Sequence, residues 1–213
     1  MSNNKITNNV FGTVADKILK SGAEKGGDKH DFTNFDKDFI LKHTSAESQI
    51  LDLGSGSGLI INKIEPYVRS ITCVELFPEF SKFIKQSDKI EVITANLLNF
   101  KINKQFDVVT SFGVMHYFDE NEVHKIYESC LAMTKKDGVF IVKNQFGIEQ
   151  KVVFDGFSKE LERYYHAFYR QVDDEVRLLE QVGFKVVEKF DIYPPRCNRW
   201  DNTHFYALVA HNI

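Results

Sequence analysis

The run Leu51-Asp52-Leu53-Gly54-Ser55-Gly56-Ser57-Gly58 sets three glycines at alternate positions directly after a short apolar segment. Glycine lets a backbone turn through conformations closed to other residues and come close to a ligand. If a helix opens behind such a turn, its free N–H groups and partial positive charge form a seat for a carboxylate or phosphate. Glu75 lies about 20 residues further on, at the end of a second apolar segment, where a carboxylate can accept hydrogen bonds from both ribose hydroxyls of an adenosine. A glycine turn by itself is compatible with a flexible connection, and a lone Glu with a solvated strand end. The pairing of the two at this interval is what points to a nucleoside. Leu59 stands where a dinucleotide motif has its third glycine, and the turn does not run into the Lys-Ser/Thr pair of a P-loop.

A third feature is His116, in Phe112-Gly113-Val114-Met115-His116-Tyr117, just past another apolar segment. An imidazole with an ordinary pKa near 6.5 suits proton transfer at neutral pH; the same ring would equally serve as a backbone hydrogen-bond partner or as pocket wall. Lys143, Asn144 and Gln145 follow a further apolar segment and are expected to face the same cleft. Tyr164, Tyr165, His166, Tyr169 and Arg170 crowd an aromatic stretch, and Arg196, Arg199 and Trp200 lie in a late loop. Arg and Lys groups that converge would recognise a phosphate or carboxylate. Solvated arginines beside a buried aromatic stripe are the other reading of the same residues.

The elements that must position these groups are short and regularly spaced. Gln49–Leu53, Ser70–Glu75, Ile90–Thr94, Phe106–Ser111 and Val139–Lys143 read as strands. Helical patterns cover Gly58–Ile64, Pro78–Lys85 and Asn121–Thr134. Val123, Ile126, Tyr127, Cys130 and Leu131 recur at helical spacing in the last of these. This alternation predicts an α/β protein with a parallel sheet and right-handed crossovers. Val152–Arg170 reads as an aromatic helical insert (about 150–172), followed by a helix over Asp173–Gln181 capped by Gly183. Phe184–Asp191 and Thr203–His211 read as two strands joined without a helix, free to pair antiparallel. Residues 1–48 are mostly polar and suit a helical lid, with the charged cluster Asp28-Lys29-His30-Asp31 ahead of Phe32 and Phe35; a disordered linker after Gly26-Gly27 is the other reading.

At 213 residues, 43% hydrophobic and 27% charged, the chain fits one globular domain with a real core. A net charge of -3 with dispersed Lys and Arg does not suit nucleic acid. Met1–Asn9 has no apolar signal-peptide core, and no apolar run approaches the ~20 residues of a membrane span, so a cytoplasmic protein acting off the membrane is the expectation. The three cysteines, Cys73, Cys130 and Cys197, are too scattered for a disulfide framework or a zinc site, and no metal is expected.

The glycine run resembles the first motif of class I S-adenosylmethionine-dependent methyltransferases. Glu75 resembles their ribose-binding acid, Thr94-Ala95-Asn96-Leu97 the segment that flanks the adenine, and Phe106-Asp107-Val108-Val109-Thr110-Ser111 the strand that runs into the active site. The resemblance spans roughly residues 45–145. It implies a Rossmann-like three-layer sandwich with seven strands, mostly parallel, in the order 3-2-1-4-5-7-6 with strand 7 antiparallel. It implies S-adenosyl-L-methionine as cofactor. Asp52 would lie near its amino group, and Gly54, Ser55 and Gly56 along its methionine part. Glu75 would take the ribose, Leu76 the adenine face, and Ala95, Asn96 and Leu97 the adenine edge; Ser111 and Phe112 would border the sulfonium. His116 is the candidate base, and Tyr117, Lys143, Tyr165, Tyr169, Arg170, Arg196 and Arg199 are the candidate acceptor contacts. The small size favours a small-molecule acceptor, methylated on oxygen, and Lys143, Arg170, Arg196 and Arg199 lean towards a polar, anionic one, such as a sugar or a nucleotide-linked polysaccharide precursor; a monomer or homodimer is expected. A non-catalytic relative, or a nicotinamide-dependent oxidoreductase, are the competing readings. The intact loop and acid weigh against the first, and Leu59 against the second.

Overall fold

The computed structural model describes residues 32–158, 163–195 and 200–213. Most of the N-terminal lid segment, including Asp28–Asp31, and the late-loop residues Arg196, Cys197 and Arg199 lie outside the described residues. The elements run α1 (Thr33–Leu41), β1 (Gln49–Leu53), α2 (Ile61–Ile64), β2 (Ser70–Glu75), α3 (Pro78–Ser81), β3 (Ile90–Thr94), β4 (Phe106–Phe112), α4 (Glu120–Met133), β5 (Thr134–Gly147), β6 (Val152–Ser158), β7 (Arg163–Tyr169), α5 (Val172–Val182), β8 (Lys185–Asp191) and β9 (Thr203–His211).

Seven strands form one sheet in the order β3-β2-β1-β4-β5-β9-β8. The pairs from β3 to β5 are parallel, and β9 runs antiparallel to both β5 and β8. Counted within this sheet alone, the order is 3-2-1-4-5-7-6 with the seventh strand reversed, as the resemblance implies. Side chains alternate across the strands and pack a core on each face. Ile50, Ile71, Val108, Ile141 and Val209 meet α1 and α2 through Phe39, Ile40, Ile61 and Ile64. Leu51, Val74, Val109, Phe140 and Leu208 meet α4 and α5 through Ile126, Tyr127, Leu178 and Leu179. Asp119 caps α4, its carboxylate accepting from the Glu122 amide while Glu122 accepts from the Asp119 amide, a reciprocal capping box. None of the described helices is long and apolar enough to cross a membrane.

Two expectations are corrected. The helix expected over Pro78–Lys85 stops at Ser81. The Asn62 side chain competes with its backbone ladder: Nδ2 donates to the Phe83 carbonyl (3.1 Å) and Oδ1 accepts from the Lys85 amide (2.8 Å). The stretch expected as a helical insert is a β-hairpin, β6 paired antiparallel with β7, standing apart from the main sheet. Its burial has period two. Tyr165, Ala167 and Tyr169 turn inward onto Val152, Phe154 and Trp200, while Tyr164 is 77% exposed. Aromatic side chains fit a half-buried pleated surface, and that alternation, present in Tyr164-Tyr165-His166-Ala167-Phe168-Tyr169, outweighs the local helical spacing.

Candidate active site

The glycine turn lies at the carboxyl end of β1 and is tied to β2. The Gly54 and Ser55 amides both donate to the Val74 carbonyl, at 2.7 and 3.2 Å. The Gly56 amide donates to Glu75 Oε2 (2.8 Å) and the Phe77 amide to Glu75 Oε1 (2.9 Å). Glu75 therefore does structural work that its position in the sequence did not reveal: one buried carboxylate fixes both the turn and the exit from β2. It keeps further lone pairs, since a carboxylate has about four acceptor sites. Gly54 has φ +76° and Gly56 φ +53°, left-handed conformations that favour glycine. A Cβ on Gly54 would stand 2.4 Å from Val114 Cγ2, whereas one on Gly56 would meet nothing within 4 Å. The turn thus touches the loop after β4 on one side and opens onto free space on the other. Behind it, the Asn62 amide donates to the Gly58 carbonyl (2.8 Å), and a single turn of α-helix follows over Ile61–Ile64.

Asp52, next to the turn, is buried, and its Oδ1 accepts from Thr110 Oγ1 on the neighbouring strand (2.6 Å). Burial raises its pKa above the ordinary carboxylate value, with the Thr110 and Ser55 hydrogen bonds opposing and nearby Glu75 adding to the rise. Beside Glu75, Leu76 is exposed, and the Ala95 amide donates to the Glu75 carbonyl (3.1 Å). Asn96 Oδ1 accepts from the Leu98 amide (3.0 Å), closing a local turn, and Leu97 is buried in the core. Ser111 ends β4 with its Oγ buried and without a hydrogen-bond partner among the described residues. Phe112 follows it, beneath Lys143, whose Nζ lies 5.1 Å from the ring centroid.

His116 sits in the single 3-10 turn Met115–Tyr117 that follows β4. Its Nδ1 lies 3.3 Å from Asn144 Oδ1 at the carboxyl end of β5. The rings of Tyr117, Tyr165 and Tyr169 surround it, with centroids at 4.2, 6.2 and 5.8 Å. Tyr165 and Tyr169 share a hydroxyl contact of 3.2 Å, Trp200 Nε1 donates to the Tyr169 hydroxyl (3.2 Å), and Trp200 stacks on Phe154. The inner face of the hairpin therefore closes over His116. This brings Tyr117, Tyr165 and Tyr169 together as the sequence suggested, by a different element than expected.

The cations fare differently. Arg170 is buried and fully engaged: it pairs with Glu175 through Nε and Nη2, and donates to the carbonyls of Phe118 (2.9 Å) and Met115 (2.9 Å). Glu175 also accepts from the Tyr127 hydroxyl. Arg170 is thus a brace for the loop that carries His116, and the expectation of an acceptor contact is corrected: the carbonyls of a 3-10 turn buried away from water need donors. Lys143 is likewise neutralised, its Nζ 3.3 Å from Asp36 Oδ2 and 2.8 Å from the Tyr193 hydroxyl. The Tyr193 hydroxyl donates to Asp36 Oδ1 (2.5 Å). Of the three consecutive β5 residues expected to face one cleft, Asn144 reaches His116 while Lys143 and Gln145 lie on the opposite face, under α1 and against Thr203. Asp36 is a residue sequence reasoning missed. Its buried position with Phe39 and Ile40, three and four residues on, was a signal: an acid on the apolar stripe of a helix asks for a buried cation.

A seven-stranded sheet of this order, with a glycine turn after its first strand and an acid ending its second, defines the class I methyltransferase fold. Residues 51–142 match the family model described as a methyltransferase domain. Over that stretch the chain is similar to methyltransferase domains, and its sheet has the fold of the class I S-adenosylmethionine-dependent methyltransferases. It is 28% identical over 126 residues to an uncharacterized methyltransferase, YcgJ, of Bacillus subtilis; the match takes in 55% of this chain and about half, 48%, of that protein. Among solved structures, the glycopeptide N-methyltransferase MtfA complexed with S-adenosyl-L-methionine superposes with a TM-score of 0.69 at 13% identity, covering 87% of this chain and 96% of that one. A TehB-like methyltransferase from Corynebacterium glutamicum gives 0.66 at 18% identity, covering 95% and 98%.

Proposed function

We propose that the chain transfers a methyl group from S-adenosyl-L-methionine to a hydroxyl of a small molecule, with His116 as general base. The observation that carries the reading is the contact between the two loops that the reaction needs. The glycine turn and the His116 loop leave adjacent paired strands, Asp52 lying opposite Thr110, and Gly54 has no room for a Cβ against Val114. The residues present fit the cofactor: open space above Gly56, spare lone pairs on Glu75, and an exposed Leu76 beside it. When bound, the cofactor supplies a methyl group on a positively charged sulfur.

Asp52, Gly54, Ser55 and Gly56 would hold its methionine end. Glu75 would accept from the ribose hydroxyls, and Leu76, Ala95, Asn96 and Leu97 would frame the adenine. Ser111 and Phe112 would line the floor near the reacting atoms, where the buried Ser111 Oγ gains a partner. On the acceptor side, Tyr117, Tyr165 and Tyr169 would exclude water and orient a ring or sugar face. His116 would take the hydroxyl proton as the oxygen attacks, so the new O–C bond forms without leaving charge on the acceptor. Lys143 and Arg170 are already paired with Asp36 and Glu175, so among the described residues the groups around His116 that would meet an acceptor are polar aromatic ones.

The test is methyl transfer from radiolabelled cofactor to a panel of hydroxyl- and amine-bearing small molecules, with adenosylhomocysteine binding measured alongside. His116→Ala should keep adenosylhomocysteine affinity within about twofold and slow transfer by roughly 10²–10⁴. Normal transfer by that variant ends the base role, and failure of the wild type to bind adenosylhomocysteine ends the whole reading.

A further inference from the structure

We infer that Asn144 is a positioning residue that sets the tautomer of His116, an inference that deepens the base role proposed above and is tested apart from it. A neutral imidazole carries its proton on one nitrogen and a lone pair on the other, and the hydrogen bond at one nitrogen decides which. Free imidazole has no such instruction. Here Asn144 Oδ1 faces His116 Nδ1 at 3.3 Å, and a carbonyl oxygen can only accept. Nδ1 therefore carries the hydrogen and Nε2 the lone pair.

The anchoring of Asn144 makes the instruction firm. It is 1% exposed, and its backbone lies within the β5–β9 ladder opposite Tyr206. Ring rotation is also restrained, because Tyr117, Tyr165 and Tyr169 pack around the imidazole. The Asn144 Nδ2 is buried and has no hydrogen-bond partner among the described residues. A purely architectural asparagine would satisfy its donor, whereas this one has its carbonyl spent on the histidine and its amide donor left within the same buried corner. Turning the amide over would set Nδ2 against Nδ1 and force the hydrogen onto Nε2, so the two orientations predict opposite tautomers.

The experiment reads the tautomer directly. The full chain is labelled with ¹⁵N-histidine and long-range ¹H–¹⁵N correlations are recorded across pH; the His116→Gln spectrum identifies the His116 signals. Wild type should show a protonated, pyrrole-like Nδ1 and a pyridine-like Nε2. Asn144→Leu should release the ring, so that the Nε2-protonated form becomes the major one. Asn144→Asp should retain the Nδ1 proton and carry the imidazole titration upward by about 1–3 pH units, since a carboxylate within hydrogen-bond reach favours the imidazolium. A structural role alone would move neither the tautomer nor that titration. A wild-type His116 protonated at Nε2, or an unchanged tautomer in a folded Asn144→Leu protein, overturns the inference. If Asn144→Leu does not fold, the wild-type spectrum and the Asn144→Asp titration decide the matter, an unmoved titration counting against it. The outcome is separable from the base role: a correctly set tautomer together with normal methyl transfer by His116→Ala would retain the positioning and discard the base.

Discussion

Two carboxylates beside the glycine turn behave differently as residues, and each gives its own prediction. Glu75 serves the backbone amides of Gly56 and Phe77. Its replacement by Ala should weaken adenosylhomocysteine binding by roughly 1.5–3 kcal/mol per lost hydrogen bond, measured calorimetrically, and should also lower the melting temperature of the ligand-free protein, because two amides lose their acceptor. Asp52 has the opposite stability signature. Burial raises its pKa in the folded protein, so the folded state holds the proton more tightly than the unfolded one. Stability from this group is then fully present below the unfolded value near 3.9 and is lost as pH climbs through the raised value. Asp52→Asn, which cannot ionise and still accepts from Thr110, should therefore raise the melting temperature at pH 7–8, with the gain vanishing toward pH 4. The same variant should bind adenosylhomocysteine more weakly; equal melting curves at pH 7.5 would refute the pKa argument. Glu75 was marked in the sequence by its interval from the glycine turn, a spacing with a mechanism, and Asp52 only by the family resemblance. Their partners were not. Thr110 reaches Asp52 only because β4 inserts beside β1, which is a fact of topology, and Asn144 reaches His116 for the same kind of reason.

At the level of elements, the hairpin of β6 and β7 is the feature that separates the two halves of the site. Its inner face covers His116, and among the described residues its strands pair with each other rather than with β1, β2 or β4, where the glycine turn lies. Replacing residues 152–169 with a short Gly/Ser link should leave adenosylhomocysteine affinity within about twofold while abolishing transfer to acceptors. A parallel loss of cofactor affinity would show that the hairpin also supports the cofactor pocket. The strands of the central sheet were legible because each is an apolar run of strand length between turn residues. The hairpin was not: a stretch this rich in aromatics has hydrophobic matches at both period two and period 3.6, and packing against Phe154 and Trp200 decides between them. Helix α3 fails for a related reason, since the side chain that truncates it, Asn62, lies about 20 residues earlier in another element.

For the molecule as a whole, Arg170 is the keystone. From the end of β7 it joins α5 through Glu175, α4 through the shared partner Tyr127, and the loop after β4 through two carbonyls. Removing one partner of a buried ion pair leaves the other uncompensated, so Arg170→Met should cost about 3–5 kcal/mol in urea unfolding. A loss below about 1 kcal/mol would mean that the network is solvated. Nothing in the sequence separated this arginine from a ligand-binding one; the difference lies in where its carboxylate falls. Next to it, the Gly147 amide donates to the Arg170 carbonyl (2.8 Å), Gly147 bridges to Gln171, and a Cβ on Gly147 would collide with the Gln150 carbonyl at 2.0 Å. The chain thus departs and returns through a single pinched neck. The segment between the two sides of that neck includes the hairpin over His116, so exchanging it should rebuild that wall while leaving β1, β2 and the glycine turn in place.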